Sequence, residues 1–139
     1  MAELVTAKQN AIHDCTHIYL DAFNKKGPIR DLYSEAVAEY LERFIKTENC
    51  FMYTLIEKDA IVGFLTACEI PGILSRNIKI DTVAIAPEYQ NKGYGTVMMN
   101  KFFNLFENDV FSLETKRNRI SSISFPLQFS LTLFLLQSH

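Results

Sequence analysis

Apolar residues along the first third of the chain recur at helical spacing. Between Asn10 and Asn24, the residues Ile12, Cys15, Ile18, Tyr19, Ala22 and Phe23 make one stripe on a helix. Asn24-Lys25-Lys26-Gly27-Pro28 should end that helix, basic residues leading into a breaker pair. Ser34 and Glu35 suit the start of a second helix, whose apolar face is Val37, Tyr40, Leu41, Phe44 and Ile45. The pattern then changes. Cys50 to Ile56 is rich in aromatic and branched residues and reads as a strand. Glu57-Lys58-Asp59-Ala60 is a polar turn, and Ile61 to Ile70 is the antiparallel return, with Gly63 a candidate bulge. A third strand runs from Ile78 to Ile85. A helix follows from about Gly93 to Phe106, with Val97, Met98, Phe102, Leu105 and Phe106 as its core positions. Leu4 to Ala7 and Val110 to Thr115 are two further short strands. Antiparallel strands followed by one strand–helix–strand crossover predict an α/β fold, a central mixed sheet flanked by helices.

The length of 139 residues fits one domain over 1–139. With 48% hydrophobic and 22% charged residues, the chain can build a core and is not a disordered polymer. The net charge of -2 argues against a basic nucleic-acid surface or a polybasic membrane patch. The charges are unevenly placed, because no Asp, Glu, Lys or Arg occurs from Ile120 to Ser138. Polar residues and Pro126 interrupt that stretch, so it is not expected to span a membrane. Cys15, Cys50 and Cys68 are far apart in sequence and predict neither a disulfide framework nor a structural zinc site. Met1 to Asn10 contains no apolar run, so a soluble cytoplasmic protein is expected.

One segment carries chemistry. In Ile80-Asp81-Thr82-Val83-Ala84-Ile85-Ala86-Pro87-Glu88-Tyr89-Gln90-Asn91-Lys92-Gly93-Tyr94-Gly95-Thr96, a strand enters a glycine-containing turn that opens a helix. Such a turn aims unpaired backbone N–H groups at one point, where the helix dipole is also positive. That makes an anion site suited to phosphate. Gly93 and Gly95 free the dihedrals and allow close approach, and Lys92 adds a cation. The turn lacks the Gly-Lys-Ser/Thr of a P-loop, and Met98 stands where the dinucleotide fingerprint needs a third glycine.

The same residues closely resemble the cofactor motif of the GNAT family of N-acetyltransferases. That motif is a hydrophobic strand, then Pro-x-x-Gln/Arg-x-x-Gly-x-Gly/Ala, then a helix. Here it stands as Val83-Ala84-Ile85, Pro87, Gln90, Gly93 and Gly95. The resemblance covers about residues 4–118, and residues 1–119 follow the family pattern. It implies an acetyl-CoA site. Backbone groups of Val83, Ala84 and Ile85 would pair with the pantetheine arm as an added strand. The N–H groups of Gln90, Asn91, Lys92, Gly93, Tyr94, Gly95 and Thr96 would hold the pyrophosphate, and Asn118 would touch the cofactor. Asp81 lies where many members carry an acidic residue, and it is the candidate base for an amine acceptor of a small molecule or protein. Strand alternation would put Asp81, Val83 and Ile85 on one face. A backbone N–H near Val83 or Ala84 would hold the oxyanion.

The family's usual general acid is a Tyr in the helix after the Asn. Here that position is Pro126, and no Tyr occurs after Tyr94. The departure leaves an alternative, a CoA-binding or interaction protein that keeps the fold without turnover. From Ile123 to Leu133 the tail instead alternates as a strand, through Phe125, Leu127, Phe129 and Leu131. Residues 120–139 are thus an atypical apolar segment, either an added strand or the product of a shifted frame or truncation. Such a strand near a sheet edge favours pairing into a homodimer. His13 and His17 share a helix face but lack a third ligand, so no metal is expected. Cys68 reads as a small buried apolar residue, and Arg30 and Tyr33 as candidate substrate contacts.

Overall fold

The computed structural model describes residues 2–23, 27–70, 77–105 and 110–113, and within these the side chains of 27–29, 70, 77 and 110–113 are left undescribed. Asn118 and the tail from Ile120, with the strand and dimer expected there, lie outside the described residues, as does Phe106. The order of elements is β1 (Glu3–Thr6), α1 (Ile12–Ala22), α2 (Gly27–Lys46), β2 (Cys50–Glu57), β3 (Ala60–Ile70), β4 (Asn77–Ile85), α3 (Tyr94–Leu105) and β5 (Val110–Leu113). The five strands form one sheet in chain order. The pairs from β1 to β4 are antiparallel, and β4 with β5 is parallel. This is the mixed sheet that the patterning predicts.

Each face of the sheet packs against helices. Leu55, Val62, Leu65, Ile78, Ile80, Val83 and Ile85 join Met98, Met99 and Phe102 of α3 in one core. Phe64, Met52 and Ala84 join Cys15, Ile18 and Leu20 of α1 and Val37, Leu41 and Phe44 of α2 in the other. Burying a Phe or Leu side chain contributes about 1.5–3 kcal/mol, so two such cores account for the stability of a thin sheet.

Several expectations change. Gly27-Pro28 opens α2 instead of breaking the chain, so Ser34 and Glu35 lie inside that helix. Proline costs nothing in a first helical turn, where its missing N–H has no intrahelical acceptor. Along α3 the buried face holds Met98, Met99 and Phe102, whereas Val97 and Leu105 are exposed. The β2–β3 hairpin turns on Lys58 and Asp59, both with positive φ (51° and 66°), the combination a two-residue turn of matching twist requires.

Two bulges shape the sheet. In β3, Leu55 pairs with Gly63 but Ile56 pairs with Ile61, so Val62 is an extra residue. In β4, Ala67 pairs with Ile80 but Thr66 pairs with Thr82, so Asp81 is extra. An extra residue resets the two-residue alternation. This is why Ile80 and Val83, three positions apart, share one core. Asp81 therefore does not share a face with Val83 and Ile85, contrary to simple alternation.

At Gly63, β3 packs tightly against β4. A Cβ there would stand 2.6 Å from Ile85 Cδ1 and 2.7 Å from the Ala84 carbonyl oxygen. Gly63→Ala should therefore destabilise the fold by about 1–3 kcal/mol. The check is urea unfolding: the midpoint should drop with the m-value unchanged, and an unaltered midpoint would contradict this packing.

Candidate active site

The strand β5 pairs with β4 only along Asn77–Ile80. Among the described residues, no strand covers the stretch from Asp81 to Ile85 on that side. The register decides which groups face the opening. The Ala86 N–H donates to the Val62 carbonyl at 2.8 Å, which flanks the Gly63–Ile85 pair and makes it a non-hydrogen-bonded pair. Alternation then points the backbone N–H and C=O of Val83 and Ile85 at the open edge, and spends those of Ala84 on Phe64 of β3. Ala84 is thus not available to a ligand strand, contrary to expectation.

The turn after β4 is built on side chains that brace it. Pro87–Tyr89 form a short 3₁₀ turn, and the Gln90 N–H donates back to the Pro87 carbonyl at 3.2 Å. That N–H, expected at the pyrophosphate, is already used. The Gln90 side chain turns the other way and its Nε2 donates to the Ile85 carbonyl at 2.9 Å, tying the turn to the strand end. Asn91 and Gly93 both adopt positive φ (64° and 88°). An added Cβ at Gly93 would meet nothing within 4 Å, so no protein neighbour requires glycine there. The left-handed backbone does.

The helix α3 begins with Val97 donating to the Gly93 carbonyl at 3.1 Å. The N–H groups of Tyr94, Gly95 and Thr96 precede that bond and have no acceptor within the helix. With Asn91, Lys92 and Gly93 they surround the positive end of α3. The Tyr94 hydroxyl donates to Glu57 Oε2 at 2.8 Å, fastening this end of the helix to the β2–β3 hairpin. That bond holds the Glu57 carboxyl below its usual range.

Asp81 is exposed at its bulge, but one of its oxygens is held. The Tyr40 hydroxyl of α2 donates to Asp81 Oδ2 and lies 2.6 Å from the Thr82 hydroxyl. The bulge lets these consecutive side chains reach one tyrosine. Burial, and then the bond to Asp81, push the Tyr40 hydroxyl well above the ordinary tyrosine range. Tyr19, whose ring lies 6.0 Å from that of Tyr40, is also raised, by burial and then by the Asp81 charge. Residue patterning placed Tyr40 on an apolar helix face and missed its hydroxyl. The available signal was that a buried tyrosine needs a hydrogen-bond partner.

Other candidates are engaged elsewhere. Arg30 donates to Asp21 Oδ1 and to His17 Nδ1, both at 2.6 Å, joining α1 to α2. His17 accepts that bond through an unprotonated nitrogen, since guanidinium has no acceptor. Cys68 is half-buried and not the enclosed residue expected. A cavity of about 700 Å³ lies among β1, α1 and the β2–β3 turn, lined by Asp14, His17, Asp59 and Glu88 among others. None of the predicted site residues lines it. Among the described residues no helix is long and apolar enough to cross a membrane.

No curated protein matches the sequence. Solved structures share the fold. A possible acetyltransferase from Clostridium difficile 630 superposes with a TM-score of 0.67 at 15% identity, over 86% of this chain and 83% of that one. An aminoglycoside acetyltransferase from an uncultured soil metagenomic sample gives 0.65 at 16% identity, over 91% and 98%. A predicted acetyltransferase with acetyl-CoA from Clostridium acetobutylicum gives 0.60 at 12% identity, over 91% and 97%. Residues 12–129 match the model of the acetyltransferase (GNAT) family, a span that runs into the uncharged tail. With that match over most of its length and the shared mixed-sheet fold, the chain belongs to the GNAT family of acetyltransferases.

Proposed function

We propose that this protein is a single-domain enzyme over 1–139 that moves the acetyl group of acetyl-CoA to a primary amine of a small molecule or protein. The observation that carries this reading is the edge of β4 from Asp81 to Ile85, which no described strand covers, leading directly into the turn at Asn91–Gly93 and the first turn of α3. That arrangement fits a ligand with an extended amide arm and a pyrophosphate. The Val83 carbonyl and the Ile85 N–H bond the arm, the Ile85 carbonyl being held by Gln90. The N–H groups of Asn91, Lys92, Gly93, Tyr94, Gly95 and Thr96 hold the pyrophosphate, helped by the Lys92 ammonium. Acetyl-CoA supplies a thioester carbonyl and a thiolate leaving group. The Val83 N–H, at the open edge beside Asp81, stabilises the oxyanion that develops on that carbonyl.

An amine such as a lysine side chain is mostly protonated at neutral pH and must lose a proton to attack. Asp81 accepts that proton, directly or through a water. Its Oδ2 is fixed by Tyr40, which leaves Oδ1 for the amine. Tyr40 is therefore a positioning residue. Attack of the nitrogen forms the C–N bond, the C–S bond breaks, and the thiolate departs toward solvent. A second reading, CoA binding without turnover, draws on the lack of any Tyr after Tyr94.

Calorimetry should show acetyl-CoA binding to the intact protein, and Gly93→Trp should abolish it by filling the open space before the turn. Thiol release against a panel of amines separates the two readings: release supports transfer, and binding without release supports the second. No binding by the wild type would overturn both.

Asp81→Asn should lower kcat by about 10²–10⁴-fold with acetyl-CoA binding retained. Tyr40→Phe should lower kcat less, with little change in KM for acetyl-CoA. Equal loss in both constants would contradict a positioning role.

Tyr40 also predicts a pH dependence of stability. Unfolded tyrosines titrate near pH ~10. Above that pH the unfolded chain loses a proton that folded Tyr40 retains, so stability falls as pH rises. Urea unfolding between about pH 8 and 11 should show a shallower decline in Tyr40→Phe. The same slope in both proteins would contradict this.

A further inference from the structure

Cys50 and Cys68 are 18 positions apart in sequence but directly opposite each other on β2 and β3. The Glu69 N–H donates to the Asn49 carbonyl at 2.7 Å, a bond that flanks this pair. Such a bond marks a non-hydrogen-bonded site, where facing Cα atoms are closest, at about 4.5 Å. Disulfides span Cα separations of about 4.4–6.8 Å. The two thiols lie on the same side of the sheet with Sγ atoms 2.7 Å apart, and both residues are half-exposed. Cys15, by contrast, is fully buried in α1. We propose that Cys50 and Cys68 are a redox modification site, a thiol pair that closes reversibly into a cross-strand disulfide by exchange with a small-molecule disulfide such as oxidised glutathione.

The order of attack follows from the surroundings. Burial, and then the hydrogen bond with Cys50, push the Cys68 thiol up to about 12, so Cys68 stays protonated. Cys50 attacks first: its thiolate forms a mixed disulfide with one glutathione and expels the other as thiolate. Capping removes the hydrogen bond to Cys50, the second of the influences that hold the proton on Cys68. The Cys68 thiolate then attacks the Cys50 sulfur, the bond to glutathione breaks, and the second glutathione leaves. Two protein thiols are oxidised, one glutathione disulfide is reduced to two thiols, and the protons pass to the departing thiolates. The cross-link ties β2 to β3 two residues along β3 from Thr66, the residue opposite Thr82 at the β4 bulge.

The test uses the intact reduced protein, exposed to graded ratios of oxidised to reduced glutathione and read by intact and peptide mass spectrometry. The expected product is lighter by two hydrogens, carries a Cys50–Cys68 cross-linked peptide and leaves Cys15 as the one thiol alkylated after denaturation. Dithiothreitol should restore the starting mass. Cys68→Ser should stop at a glutathione adduct on Cys50. A wild-type protein that stays fully reduced, that accumulates the glutathione adduct, or that joins chains through Cys50 or Cys68 would overturn the proposal.

Discussion

One extra residue in β4 organises the site. Because Asp81 is inserted opposite the Thr66–Ala67 step, the strand changes phase between Ile80 and Val83. Before the bulge, Ile78 and Ile80 fill the core beneath α3; after it, Val83 and Ile85 continue to fill that core. Without the extra residue, one of these pairs would face the other way. The displaced residue belongs to neither core. A carboxylate there is exposed, yet close enough to α2 for Tyr40 to grip it. The bulge thus satisfies packing and offers a fixed charged group in one step.

The neighbouring turn divides its work differently. Its side chains are spent on architecture: Gln90 holds the end of β4, and Tyr94 ties α3 to Glu57 of the hairpin. Besides the Lys92 ammonium, what remains to face a ligand is backbone, held in shape by left-handed Asn91 and Gly93. Backbone N–H groups recognise charge and shape without demanding particular side chains.

Much of this was legible in the residues. Aromatic and branched runs marked β2 to β4, and Gln90 and Gly93 marked the turn, because these features depend on local chemistry; Gly95, expected in the turn, lies inside α3 and has no positive φ. Other features depend on partners distant in sequence. Asp81 looked like a residue in simple alternation, since a bulge is defined only by the strand opposite. Tyr40 looked apolar because it lies 41 positions from Asp81. Gly27-Pro28 looked like a stop, although the same pair serves equally well at the first turn of a helix. Cys50 and Cys68 looked unrelated until hairpin register put them face to face. The resemblance to a family indicated a ligand strand along Val83–Ile85, but only the hydrogen-bond phase of β3 and β4 distinguished Val83 and Ile85 from Ala84.

In the proposed reading, the edge of β4 that no described strand covers and the turn before α3 form one binding surface. Hydrogen–deuterium exchange with and without acetyl-CoA measures this most directly. Exchange should slow at the amides of Val83 and Ile85 and of Asn91 to Thr96, with Ala84 unaffected because its N–H is committed to β3. Protection confined to the cavity among β1, α1 and the hairpin turn, or absent from the β4 edge and the turn together, would contradict it.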